Sequence, residues 1–90
     1  MRAALTGIKR SRFRATFAGV SPRGDVILQD IRSPRGRSDH LWVSFPAWPG
    51  QMLLPGSEIA FSASVRAYER ARDNSIDLTL CDIEGLEVVV

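Results

Sequence analysis

Ninety residues, 44% of them apolar, make one domain with one modest core, because a chain this short buries only about 60–65% of its unfolded surface. The single cysteine, Cys81, excludes an internal disulfide and fits a reducing compartment. No stretch approaches the roughly 18 apolar residues that a membrane-spanning helix needs.

Residues 1–10 read as a flexible leader ahead of a single domain over residues 11–90. Their run Ala3-Ala4-Leu5 is too short for a signal-peptide core, so a soluble, cytoplasmic protein is expected. From Ser11, the residues Phe13, Ala15 and Phe17 alternate with Arg12, Arg14 and Thr16. Successive side chains of a strand point to opposite faces, so this is a strand with an apolar face and a cationic one. Gly19 inside it predicts a bulge or a tight bend. Ser21-Pro22-Arg23-Gly24-Asp25 is turn chemistry throughout, and Val26–Ile31 is a second strand. Ser33–Asp39 repeats the Ser-Pro-Arg-Gly pattern as a second turn. Leu41, Val43 and Phe45, alternating with Trp42 and Ser44, form a third strand.

Pro46, Pro49 and Pro55 then limit the connector Pro46–Gly56 to at most one helical turn, around Gln51–Leu54. Met52, Leu53 and Leu54 are expected to plug one end of the fold. The longest strand follows. In Glu58–Tyr68, Ile59, Phe61, Ala63 and Val65 occupy every second position. At about 3.3 Å per residue such a strand exceeds 30 Å, so it must bend or serve two sheets. A polar turn around Arg70–Ser75 leads into a fifth strand, Ile76–Ile83, with Leu78 and Leu80 on one face. Gly85 is expected to break it before the apolar tail Leu86–Val90. Five strands with a long fourth one and a single long connector predict an all-β fold, a small closed five-stranded barrel of the OB type with the usual helix between strands three and four reduced to a proline-rich connector. An SH3-like barrel is the alternative.

Leu28-Gln29-Asp30-Ile31, Asp39-His40-Leu41-Trp42, Leu54-Pro55-Gly56, the alternating Ile59–Val65 with Tyr68, and Leu78-x-Leu80 together resemble small OB-fold proteins of the single-strand nucleic-acid-binding type. Such proteins usually carry Gly-Asp before the fourth strand, where this chain has Gly56-Ser57-Glu58. The resemblance implies a binding face on strands two and three, flanked by the first-to-second and fourth-to-fifth loops.

Charge points the same way. Residues 1–37 carry nine basic groups against Asp25 and Asp30, whereas residues 38–90 carry three against eight acids. Eleven of the twelve basic residues are arginine, suited to bidentate phosphate contacts and to stacking on bases. The competing account is that a basic first strand is neutralised by acids across the sheet, which would consume Arg12 and Arg14. Single strands are held by cationic grooves with aromatic platforms. The candidate binding residues are therefore Arg23, Arg35, Arg37, Arg66, Arg70 and Arg72 with Trp42 and Tyr68. Trp42 is out of phase with the core residues Leu41 and Val43, so it faces either a ligand or the barrel mouth. Tyr68 is otherwise a barrel-end residue, and Trp48 is either a lid over the core or a further platform. No catalytic constellation is present: Asp39 and His40 are neighbours on a strand and point to opposite faces, and Cys81 has no second cysteine with which to hold zinc. The expectation is a non-catalytic module binding single-stranded DNA or RNA with low sequence specificity, without cofactor, metal or small-molecule substrate. The alternative is a protein-interaction or assembly module, including a homo-oligomer, that uses the barrel edge and its oppositely charged faces.

Overall fold

A computed structural model of the chain describes residues 2–44, 48 and 53–89. Five antiparallel strands form one sheet, β1 (Arg10–Val20), β2 (Val26–Ser33), β3 (Gly36–Val43), β4 (Glu58–Glu69) and β5 (Ile76–Val88), in the order β3-β2-β1-β4-β5. No helix occurs among the described residues, so none is long and apolar enough to cross a membrane. The alternation read from the sequence sets the inner face. Phe13, Ala15 and Phe17 of β1, Leu28 and Ile31 of β2, Leu41 and Val43 of β3, and Ile59, Phe61 and Ala63 of β4 are all buried. Phe13 and Phe61, which face each other in the β1–β4 register, stack with ring centroids 6.0 Å apart.

The sheet curls because residues are inserted into its ladders. Ala18 is extra on β1 beside Gly19, and Asp30-Ile31 hold one extra residue on β2. Asp82-Ile83 and Gly85-Leu86 each hold one on β5. Asp30, Asp82 and Gly85 have φ of 50°, 50° and 61°, the left-handed geometry that bulges use to bend a strand. Gly85 therefore bends β5 and does not end it, and the expected break before residue 86 is replaced by pairing through Ile59↔Val88. The residues of β4 up to Ser64 pair with both β1 and β5, while Val65–Glu69 pair with β5 alone. The long strand thus projects past the first one.

The expected closure into a barrel is absent. Closing the sheet would require a parallel ladder between its edges, β3 and β5. These approach within 8 Å at a few Cα positions but are not hydrogen-bonded neighbours. The Arg2 side chain lies across that seam. It donates from Nε to the His40 carbonyl on β3 at 3.3 Å and from Nη1 to the Leu78 carbonyl on β5 at 2.7 Å. A guanidinium thus bridges the two edges.

The leader also differs from expectation. Ala4 and Leu5 are fully buried in the core, the Ala4 amide donates to Ser38 Oγ at 3.0 Å, and Ser33 Oγ donates to the Ala4 carbonyl at 2.5 Å. Residues 2–9 are therefore packed onto the sheet. Of the residues expected to plug the core from the connector, Leu53 packs against it and Leu54 is 79% exposed. Phe45, Pro46, Pro49, Gln51 and Met52 lie outside the described residues. Trp48 is 7% exposed and lies against Phe17 with centroids 6.3 Å apart, so it serves as a lid.

The outer face carries the neutralisation that the charge division allowed. Arg10 and Arg12 on β1 reach over Ser64 and Ser62 of β4 to Glu84 (3.7 Å) and Glu87 (2.6 Å) on β5. The short serines make that reach possible. Arg14 and Arg32, opposite each other on β1 and β2, share Glu58, and Asp30 holds Arg32 and Arg37. The Glu58 carboxyl is held below its ordinary value chiefly by the hydrogen bond from Arg32. These pairs are half-buried to exposed on the solvent face, where water screens them, so they add little to stability.

Candidate functional site

A trench follows the β3–β5 seam. Trp42 and Tyr68 belong to both of its adjoining concavities. The smaller one, ≈260 Å³, is bordered by Asp25, Ser44, Arg66, Thr79 and Leu80. The larger one, ≈650 Å³, is bordered by Arg2, Arg23, His40, Arg70, Ala71 and Arg72. Beyond Arg2, His40 and Arg70 the surface continues to Arg37, Asp39 and Asp77.

Strand alternation places each group. Leu41 and Val43 are buried, so His40 and Trp42 turn outward, and the Trp42 indole is 49% exposed. Arg66, Tyr68 and Arg70 stand two residues apart along β4 and its end, on one side of the chain. Arg23 comes from the β1–β2 turn, held by Ser21 N donating to the Asp25 carbonyl at 2.8 Å and Gly24 N to the Ser21 carbonyl at 2.9 Å. Arg72 comes from the β4–β5 turn, closed by Arg70 N on the Ser75 carbonyl at 2.8 Å. Two loops far apart in sequence thereby flank one groove.

Asp77 organises one wall. Its side chain is 5% exposed and takes Arg70 and Arg2 (3.2 Å) as ion partners, with the Leu78 amide donating to Oδ1 at 2.8 Å. Burial pushes its carboxyl up, but the Arg70 hydrogen bond, the Leu78 amide and the charge of Arg2 together outweigh burial and hold it below the ordinary value. Arg2 also donates to the Tyr68 hydroxyl at 3.3 Å, which fixes that ring. Two guanidiniums on one carboxylate leave the wall cationic, with N–H groups to spare. Arg23, Arg66 and Arg72 form no ion pair among the described residues.

Of the residues singled out from sequence, Arg23, Trp42, Arg66, Tyr68, Arg70 and Arg72 are brought together here. Arg37 lies at the far end and is paired with Asp30 at 3.0 Å. Arg35 stands apart, in a depression with Ala3, Thr6 and Gly7. Its guanidinium lies over Gly7, where a β-carbon would come within 3.1 Å of it. Arg2 and His40 were missed. His40 could have been found from its two-residue offset to Trp42, whereas nothing local marks Arg2. Cys81 lies outside the groove, its thiol donating to the Ser64 carbonyl at 3.7 Å and pushed up in pKa chiefly by burial. No protein-family model, curated protein or solved structure matches the chain.

Proposed function

We propose that this chain is a non-catalytic module of OB type that holds single-stranded DNA or RNA in the trench along the β3–β5 seam. The observation that carries the reading is the half-exposed Trp42 beside Tyr68, in a groove bordered by Arg2, Arg23, Arg37, Arg66, Arg70 and Arg72 against Asp25, Asp39 and Asp77. Indole and phenol faces accept stacked bases of any sequence, and arginines on either side track the phosphates. Support comes from the strand order β3-β2-β1-β4-β5, which a β3–β5 ladder would close as in an OB barrel, and from the two flanking turns, which correspond to the loops that border the ligand in such barrels.

The test is a titration of labelled single-stranded oligonucleotide followed by anisotropy and by tryptophan quenching. If the four arginines 23, 66, 70 and 72 each meet one phosphate, the logarithm of affinity should fall with that of salt at a slope of about −3. Trp42→Ala should weaken binding by about 1–3 kcal/mol, the value of one stacked base, and leave stability nearly unchanged because the indole is half in water. Absent binding at low ionic strength, or binding indifferent to salt, would overturn the reading. A second reading, an assembly module, draws on the unladdered edges of the sheet, where Ile76 and Val88 are exposed. Light scattering of the free protein tests it, and a salt-sensitive oligomer that buries Trp42 would favour it.

A further inference from the structure

The nucleic-acid reading leaves Asp25 without a role. Asp25 borders the smaller concavity together with Trp42, Ser44, Arg66, Tyr68 and Thr79. A carboxylate beside arginines ordinarily forms an ion pair, yet none is made by Asp25 among the described residues, although Arg66 lines the same concavity. Its backbone is held at both ends. The Asp25 carbonyl accepts from Ser21 N at 2.8 Å, and the Asp25 amide donates to Ser21 Oγ at 3.1 Å. The turn therefore fixes the Asp25 backbone beside the stacking platform, and its acceptor-only carboxylate lines the concavity.

We infer that this concavity is a nucleobase pocket in which Asp25 reads the hydrogen-bonding edge of the base stacked on Trp42, and selects guanine. The inference rests on the nucleic-acid reading above. An ionised carboxylate only accepts. Guanine offers two adjacent donors, N1–H and the N2 amino group, which match its two oxygens. Cytosine and adenine offer a single amino group on that edge. Thymine and uracil offer one imino N–H between two carbonyl oxygens, and those oxygens repel the carboxylate. Ser44 and Thr79 donate or accept equally well, so their hydroxyls do not discriminate. The order of preference is guanine, then cytosine and adenine, then thymine and uracil. A thymine homopolymer, the usual probe for unspecific single-strand binding, is therefore the poorest ligand.

The experiment compares d(TTGTT), d(TTCTT) and d(TTTTT), each fluorescently labelled, by anisotropy at low salt, with the wild-type chain and with Asp25→Asn. The guanine oligonucleotide should bind wild type at least about fivefold more tightly than d(TTTTT), the discrimination of a good two-bond contact, with d(TTCTT) between them. In Asp25→Asn the amide also donates to thymine carbonyls. Affinity for d(TTGTT) should fall and affinity for d(TTTTT) should rise, and a gain of that kind cannot come from misfolding. Equal, salt-dependent affinity for all three in wild type overturns the base reading and leaves nucleic-acid binding standing. A guanine preference that persists unchanged in Asp25→Asn also overturns it. No binding to any of the three removes both.

Discussion

Removing the Asp77 carboxylate tests whether the seam between β3 and β5 is held by its charges. Asp77→Ala takes away the shared partner of Arg2 and Arg70 and the acceptor of the Leu78 amide. Breaking a fully buried pair from one side costs about 3–5 kcal/mol. Here Arg70 is 44% exposed and regains water, while Arg2 keeps its bonds to the Leu78 carbonyl and the Tyr68 hydroxyl. The loss should therefore be smaller, about 2–3 kcal/mol, against a total of about 5–13 kcal/mol for a chain of this length. Urea unfolding at pH 7 followed by circular dichroism measures it, and the melting temperature should drop by about 8–24 °C. Acid provides the second arm. Because the folded Asp77 carboxyl lies below its unfolded value of about 3.9, the unfolded chain binds more protons in the interval between the two. The Asp77 contribution is therefore complete above the unfolded value and is lost as pH falls through the folded one. Asp77→Asn should flatten that acid limb, partially, since Glu58 and Asp73 are lowered as well. A loss below about 0.5 kcal/mol, with the acid limb unchanged, would show that these guanidiniums contribute no more than ordinary surface pairs and that the seam is held by something else.

Two further outcomes follow from the packing. Gly85→Ala places a β-carbon at φ 61° and 3.2 Å from Arg12 Nη1; the left-handed backbone costs about 1–2 kcal/mol, and the displaced Arg12 would lose its bond to the Gly85 carbonyl. Denaturant midpoints measure this, and a neutral result would contradict the bulge geometry. Trp48→Ala should cost about 3–5 kcal/mol, as for a buried aromatic, while the protein that remains folded binds oligonucleotide as before. Weakened binding without a stability loss would move the ligand platform from Trp42 to Trp48.

Much of the sheet was legible because its signal is local. Phe13-x-Ala15-x-Phe17 and Ile59-x-Phe61-x-Ala63 declare their buried face by parity, and Trp42 declares its exposure by being out of parity with Leu41 and Val43. The Ser-Pro-Arg-Gly turns marked the hairpin ends, although the second was expected to extend over Ser33–Asp39 and β3 already begins at Gly36. Gly85 misled, since a glycine that ends a strand and one that bends it at a bulge look alike in sequence. The difference lies in whether the partner strand continues, here Ile59 and Ala60 of β4 opposite Val88 and Glu87. Leu54 misled for a related reason: its apolar character argued for a plug, but Ala4 and Leu5 are buried in the core. Sequence placed Arg23, Arg35, Arg37, Arg70 and Arg72 in turns but could not say which carboxylates would reach them. Arg37, expected in the Ser33–Asp39 turn, lies in β3 and meets Asp30 seven positions away, while Arg72 forms no ion pair among the described residues.

The chain by itself therefore determined five alternating strands, their inward residues and a cationic, arginine-rich character, because each depends on side chains a few positions apart. Only the tertiary structure decided that the sheet stays open, that Arg2 bridges its edges, and that Trp42, Tyr68 and the arginines of two distant turns share one trench. Those facts depend on where bulges at Asp30, Asp82 and Gly85 steer the strands, and curvature summed over a sheet brings together groups that no local spacing connects.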